Sequence, residues 1–253
     1  MLKIVCPIRS EREILCASDV GIQEILLGHY FLSPLGNLDT EQLHKLAKLA
    51  KSRNLRTVLL WDLLMCDPEI DRAKKALESV DLSLFDAIRV LDPGAAEIAL
   101  NQTKLPIQMI LRTGAHNLES ILGWIAISPR VERVVLSSEI PRKSLVEYIK
   151  QIPVSVEVLG LVPTLLFYTP RHLLTYQDSQ NSVERDPEEH NVLTAMASCE
   201  ENTHKGFRVV ETRHGTLMFH AKDYSLVDKI TDLSDIGVDS FPIDCRLESD
   251  VEN

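Results

Sequence analysis

Eight short runs rich in Leu, Ile and Val punctuate the chain: Lys3–Cys6, Glu24–Gly28, Thr57–Asp62, Ala87–Val90, Ile107–Arg112, Val131–Leu136, Val154–Gly160 and Ser240–Arg246. Amphipathic stretches separate most of them. That alternation is the signature of βαβ units, because neighbouring parallel strands need a crossover long enough to hold a helix. Eight is also the strand number that closes a parallel sheet into a barrel. The expected fold is therefore α/β, a single (β/α)8 TIM-type barrel domain over residues 1–253.

The intervening stretches carry helical periodicity. Thr40 opens TEQLHKLAKLAKSRN, in which Leu43, Leu46, Ala47 and Ala50 share one face and Asn54 ends the helix. The same spacing predicts helices over Ile70–Val80, Gly94–Asn101, Asn117–Ile127, Arg142–Gln151 and Leu226–Ile236. Two segments break the rhythm. Residues 177–206 are polar, acidic and without period, which predicts a long loop. Residues 207–221, FRVVETRHGTLMFHA, alternate on either side of Arg213-His214-Gly215 and predict a β-hairpin inserted before the last helix and strand, with Gly215 at positive φ.

Composition removes several function classes. A net charge of −10, with no basic run to offset it, disfavours nucleic acid as a partner. The N-terminus turns from apolar to charged within nine residues, too soon for a signal peptide or a spanning helix, and five scattered cysteines without a C-x-x-C pair suit reduced thiols. A cytoplasmic protein with no membrane association is expected. Nucleotide loops, H-E-x-x-H and G-x-S-x-G are all absent, so zinc proteolysis and the usual serine hydrolysis have no support.

In a barrel of this type chemistry sits at the C-terminal ends of the strands. Asp62, Asp92, Arg112, Glu139, Asp244 and Arg246 all fall at or just beyond predicted strand ends. Each could instead cap a helix or pair with a neighbour, and Asp92 in Asp-Pro-Gly has a sufficient role as an N-cap. Arg112 and His116 in RTGAHN would put a cation and an imidazole on one loop, suited to an anionic ligand, although a lone histidine is more often structural.

The second half of the chain carries a family pattern. VERVVLSSEIPRKSLVEYIKQIPVSVEVLGLVPTLLFYTPRHLLT, with Glu139, Gly160, Tyr168 and Arg171, resembles the collagenase-like peptidases, the unassigned peptidase family thirty-two. The tail GTLMFHAKDYSLVDKITDLSDIGVDSFPIDCR is similar to the same family at Lys222, Asp223, Leu226, Gly237, Asp239, Ser240, Ile243 and Arg246. Members of that family with assigned roles are oxygen-independent hydroxylation factors for RNA bases or a quinone precursor, and hold an iron–sulfur cluster on four cysteines.

Here the first two of those cysteines align near Pro163 and His172, and the stretch expected to supply the others is cysteine-poor. Cys199 and distant Cys245 do not make a four-thiolate site. Leu159 replaces the family histidine, and Asp244 replaces a glutamate. The resemblance therefore implies a member with no cofactor, the cluster being absent. It would bind a small polar or anionic ligand through Glu139, Arg171, Asp244 and Arg246, with Asp62, Arg112, His116 and Tyr168 as further candidates. Two alternatives stand beside it: a non-catalytic accessory partner that forms a hetero-oligomer with a cluster-bearing relative, and a peptidase, which ranks last because no nucleophile–base pair is visible.

Overall fold

The computed structural model describes residues 2–112, 114–175, 192–198 and 205–247. Strands β1 (Lys3–Ile8), β2 (Glu24–Gly28), β3 (Arg56–Trp61), β4 (Ala87–Val90), β5 (Ile107–Ile110), β6 (Val131–Val135) and β7 (Ser155–Glu157) follow one another around a closed barrel. A closing strand, Ser240–Pro242, lies between β7 and β1, pairing Ser240 with Glu157 and Lys3, and Val5 with Pro242. Every pairing in the ring is parallel. These are the eight runs expected from sequence, arranged as a TIM-type barrel. The paired segments end sooner than the apolar runs: β3 stops at Trp61, β5 at Ile110 and the closing strand at Pro242. Asp62, Arg112, Asp244 and Arg246 are consequently loop residues at strand exits.

Helices α1 (Glu11–Asp19), α2 (Thr40–Ser52), α3 (Asp67–Ser79), α4 (Pro93–Gln102), α5 (Leu118–Ala126), α6 (Arg142–Ile149) and α7 (Ile230–Asp235) connect the strands. Local chemistry sets their ends. Asp39 and Gln42 form a capping box on α2, and Asn54 leaves that helix at φ 57°. Asp92 accepts from the Gly94 and Ala95 amides and starts α4, as its Asp-Pro-Gly context predicts. Helix α1 was not expected. Its signal is Ser10, whose hydroxyl accepts from the Glu13 amide, but its apolar face is reduced to Ile14 and Ala17. Among the described residues no helix is long and apolar enough to cross a membrane.

Two apolar layers hold the barrel. Outward-facing Leu27, Leu59, Trp61, Ile88 and Met109 pack with helix residues such as Leu43, Ala47, Leu77 and Ile121. Val5, Leu26, Val58, Leu60 and Ala87 form a smaller cluster inside the ring. Gly160, just after β7, permits a close approach that no side chain would allow: a Cβ there would lie 2.4 Å from the Pro242 carbonyl oxygen and 2.6 Å from the Phe241 ring.

The chain divides into two compact units, Met1–Val162 with Ser225–Asn253, and Pro163–Tyr224, where the sequence reads as one domain. The second unit holds a four-stranded antiparallel sheet in the order Leu193–Ser198, Lys205–Thr212, Gly215–Phe219, Leu165–Thr169. The expected hairpin is its centre, with Thr212 paired to Gly215 and Gly215 at φ 118°. The expected long loop over 177–206 is corrected at Leu193–Ser198. Those residues form a strand because Leu193–Ala197 pair with Glu211–Phe207, which satisfies a backbone whose small side chains give only a faint alternation. Residues 176–191 and 199–204 lie outside the described residues.

Candidate functional site

Charged side chains gather in the barrel at two levels. The lower level fills the ring. Arg89 on β4 donates to both oxygens of Glu157 at 2.7 Å and to Gln108 at 2.8 Å. Arg133 on β6 donates to the two oxygens of Glu24 at 2.5 and 3.0 Å and to Glu157 at 3.1 Å. Arg56 and Glu132, each about a third exposed, extend the set toward solvent with an ion pair of 2.6 Å. Burial works against ionising Glu24, but Arg133, Arg89 and Arg56 overcome it and hold its carboxyl below the usual range. Burial likewise disfavours the Arg133 cation, and Glu24 and Glu157 more than restore it. Paired in this way, the network reads as the ionic packing of the barrel.

The upper level lies at the strand exits. The inward rows of β3 and β5 show how one strand serves both levels. Arg56, Val58, Leu60 and Asp62 succeed one another at every second residue, as do Gln108, Ile110 and Arg112. At the top, Arg246 forms a bidentate pair with Asp244 at 2.9 and 2.7 Å. Burial opposes charge on both. Their mutual attraction prevails, so the Asp244 carboxyl is lowered and the Arg246 guanidinium is held more firmly protonated. Arg9, at the exit of β1, donates to the Arg246 carbonyl at 3.0 Å and to Glu13 at 3.3 Å. Arg9 also lines a cleft of about 230 Å³ with Ser10, Asn37, Gln42 and Lys45.

Asp62 and Arg112 differ from that pair. Asp62 acts electrostatically on Arg112 and on Arg246, yet its Oδ1 is buried without a hydrogen-bond partner, and so is Arg112 Nε. Burial pushes the Arg112 guanidinium below its usual range, Asp62 and Asp244 pull it back, and Arg246 pushes it further down. Buried polar atoms left unpaired cost of order 1–3 kcal/mol each, and here an acceptor and a donor are both left so at the strand exits.

The rim therefore brings together Asp62, Arg112, Asp244 and Arg246 from the sequence candidates. Glu139 is exposed on the turn after β6, where its amide donates to the Ser137 hydroxyl. His116 is exposed just before α5. Tyr168 and Arg171 belong to the second unit. The Tyr168 hydroxyl donates to the His214 carbonyl at 2.7 Å, while the Arg171 carbonyl accepts from Thr216 at 2.8 Å and its side chain is exposed. Sequence reasoning missed Arg9 and the whole interior network. The available signal was the placement of Glu24, Arg89, Gln108, Arg133 and Glu157 within otherwise apolar strands.

The cluster implied by the family pattern can be tested against the donors present. Pro163 and His172 stand near two of the expected cysteines, and the His172 Nε2 donates to the Thr212 carbonyl at 3.1 Å. Cys6 is buried, Cys16, Cys66 and Cys245 are exposed, and Cys199 lies outside the described residues. Among the described residues no three His, Cys, Asp or Glu side chains are placed to hold a metal ion. Nor, among the described residues, are four cysteines gathered as a four-thiolate cluster requires.

Comparison with known proteins agrees with the family pattern. A model described as peptidase family U32 matches residues 17–252. The tRNA hydroxylation protein P2 of Bacillus subtilis (strain 168) is 22% identical over 246 residues, which cover 94% of this chain and 78% of that protein. The structure of the U32 peptidase Mk0906 superposes with a TM-score of 0.55 at 12% identity, over 96% of this chain and 92% of that one, a likeness of fold. Because the match begins inside α1 and runs through the barrel and the second unit to the tail, the chain belongs to peptidase family U32.

Proposed function

We propose that this chain is a cluster-less U32 member that binds a small polar or anionic ligand at the C-terminal rim of its barrel. The observation that carries the reading is the pair of unsatisfied atoms, Asp62 Oδ1 and Arg112 Nε, beside the Asp244–Arg246 ion pair. A ligand that accepts from Arg112 and donates to Asp62 would satisfy both. The relative named for tRNA hydroxylation supports placing the work of this chain alongside hydroxylation factors. A net charge of −10 favours a small ligand over direct contact with RNA, and a cytoplasmic setting suits five scattered cysteines without a C-x-x-C pair.

The second reading is an accessory subunit that partners a cluster-bearing relative. The non-cysteine residues at Pro163 and His172 favour it. Isothermal titration with inorganic phosphate, malate and serine tests the first reading, these probes representing a dianion, a hydroxy acid and a zwitterion. Binding of at least one probe, weakened at least tenfold by Arg112→Ala, is the expected result. Absence of heat with all three, or binding unaffected by Arg112→Ala and Asp62→Asn, overturns the rim site.

A further inference from the structure

The cleft of about 230 Å³ that Arg9 lines opens between the exits of β1 and β2, and none of the four rim charges Asp62, Arg112, Asp244 and Arg246 borders it. Local bonds hold its walls. Ser10 caps α1, and Gln42 closes the capping box of α2. The loop between β2 and α2 folds back on itself, so that the Tyr30 amide donates to the Leu38 carbonyl at 3.1 Å and the Leu38 amide to the Gly28 carbonyl at 3.4 Å. Walls fixed in this way lose little freedom when something binds between them.

The lining offers more donors than acceptors. Arg9 and Lys45 bring positive charge, and Glu11 is the one acid among the lining residues. The Ser10 oxygen already accepts from the Glu13 amide at 3.2 Å, and the Gln42 Oε1 from the Asp39 amide at 3.1 Å. The Ser10 hydroxyl proton and the Gln42 amino group are therefore left to donate, and Asn37 adds an exposed amide. Leu38 and Leu46, both buried, supply the apolar part of the surface. Lys45 Nζ lies 2.6 Å from Glu11 Oε1, but with side chains 69% and 51% exposed the pair is screened by water, so a bound anion competes with Glu11 for the ammonium.

We propose that this cleft is a second binding site, for a small organic oxyanion whose carboxylate or phosphate group is held by Arg9 and Lys45 and whose short apolar body rests on Leu38 and Leu46. A guanidinium presents a planar fork that matches either group, while an ammonium adds a point charge. The volume is below the roughly 300–1,000 Å³ of sites for drug-sized molecules, which restricts the body to a few carbon atoms. Arg9 is steadied for this role by donating through Nη1 to the Arg246 carbonyl at 3.0 Å and through Nη2 to Glu13 at 3.3 Å. The site goes beyond the rim reading and stands whether or not the rim binds a ligand.

The test titrates the whole nitrogen-15-labelled protein with butyrate, propyl phosphate and, as an uncharged control, butyramide, and follows the backbone amide resonances. Saturable shifts at Ser10, Asn37, Leu38 and Gln42 with at least one of the two anions, and none with butyramide, are expected, and the tighter anion identifies the preferred group. Lys45→Gln, at an exposed position, should weaken binding several-fold with an unchanged melting temperature, and Arg9→Gln should weaken it at least tenfold. Glu11→Gln releases Lys45 and should tighten binding several-fold. Arg112→Ala should leave these shifts as they are, which separates this site from the rim. Absence of saturable shifts with both anions, equal binding of butyramide, binding unaffected by Lys45→Gln, or a Glu11→Gln variant that fails to bind more tightly would overturn the proposal.

Discussion

The interior and the rim of this barrel hold similar charges in opposite conditions. Inside, Arg89 and Arg133 each reach two acidic or amide partners, Glu24 and Glu157 are fully enclosed, and a single donor of the network, Arg133 Nε, is left without a partner. At the rim, Asp244 and Arg246 are paired, but Asp62 and Arg112 each keep a buried atom without a partner. The contrast teaches that buried charge does not by itself mark a site. A network whose hydrogen bonds are nearly all internal packs the fold, whereas matched gaps, an acceptor beside a donor, are where the proposed ligand would bind.

Breaking the interior network should show the largest effect. Glu157→Ala would strand Arg89 and Arg133 in the ring, and a loss of roughly 3–5 kcal/mol is expected in urea unfolding. A loss under about 1 kcal/mol would mean that solvent reaches the network. Gly160→Ala tests the seam that both levels share, since β7 supplies Glu157 and the closing strand leads to Asp244. With its Cβ driven against Pro242 and Phe241, a cost of about 1–3 kcal/mol is expected.

Acid sharpens the comparison. Glu24 and Asp244 both have depressed folded-state values, so their stabilisation is present above the unfolded carboxylate range and is lost as pH falls through the folded values. Stability measured by urea unfolding should therefore decline below about pH 4, and Glu24→Gln should flatten that decline. A wild-type curve that stays flat down to pH 2 would contradict the assignment. The smallest effect belongs to the rim gaps. Asp62→Asn and Arg112→Leu combined remove both members of this partly unsatisfied couple, so the melting temperature of the double variant should equal or slightly exceed that of the parent. A large drop in the double variant would move Asp62 and Arg112 into the structural class.

Legibility differed between fold and site for physical reasons. The β-strands of the barrel were readable because apolar runs of four to seven residues with helical periodicity between them have few other uses. Helix α1 escaped because its buried face is only Ile14 and Ala17, and Leu193–Ser198 escaped because small side chains carry little hydrophobic contrast. At the rim, the position of a charge just after a strand was enough to nominate Asp62, Arg112, Asp244 and Arg246.

The sequence by itself determined the barrel, the hairpin around Gly215, the Asp92 cap and the family pattern, since each rests on spacing or on conformational preferences local to a few residues. Only the tertiary structure decided which charges are satisfied. Asp62 and Arg112 are 50 positions apart in sequence, as Glu24 and Arg133 are 109, and whether such groups meet, pair or leave a gap depends on the closure and stagger of the barrel. No local signal encodes a distance of that kind.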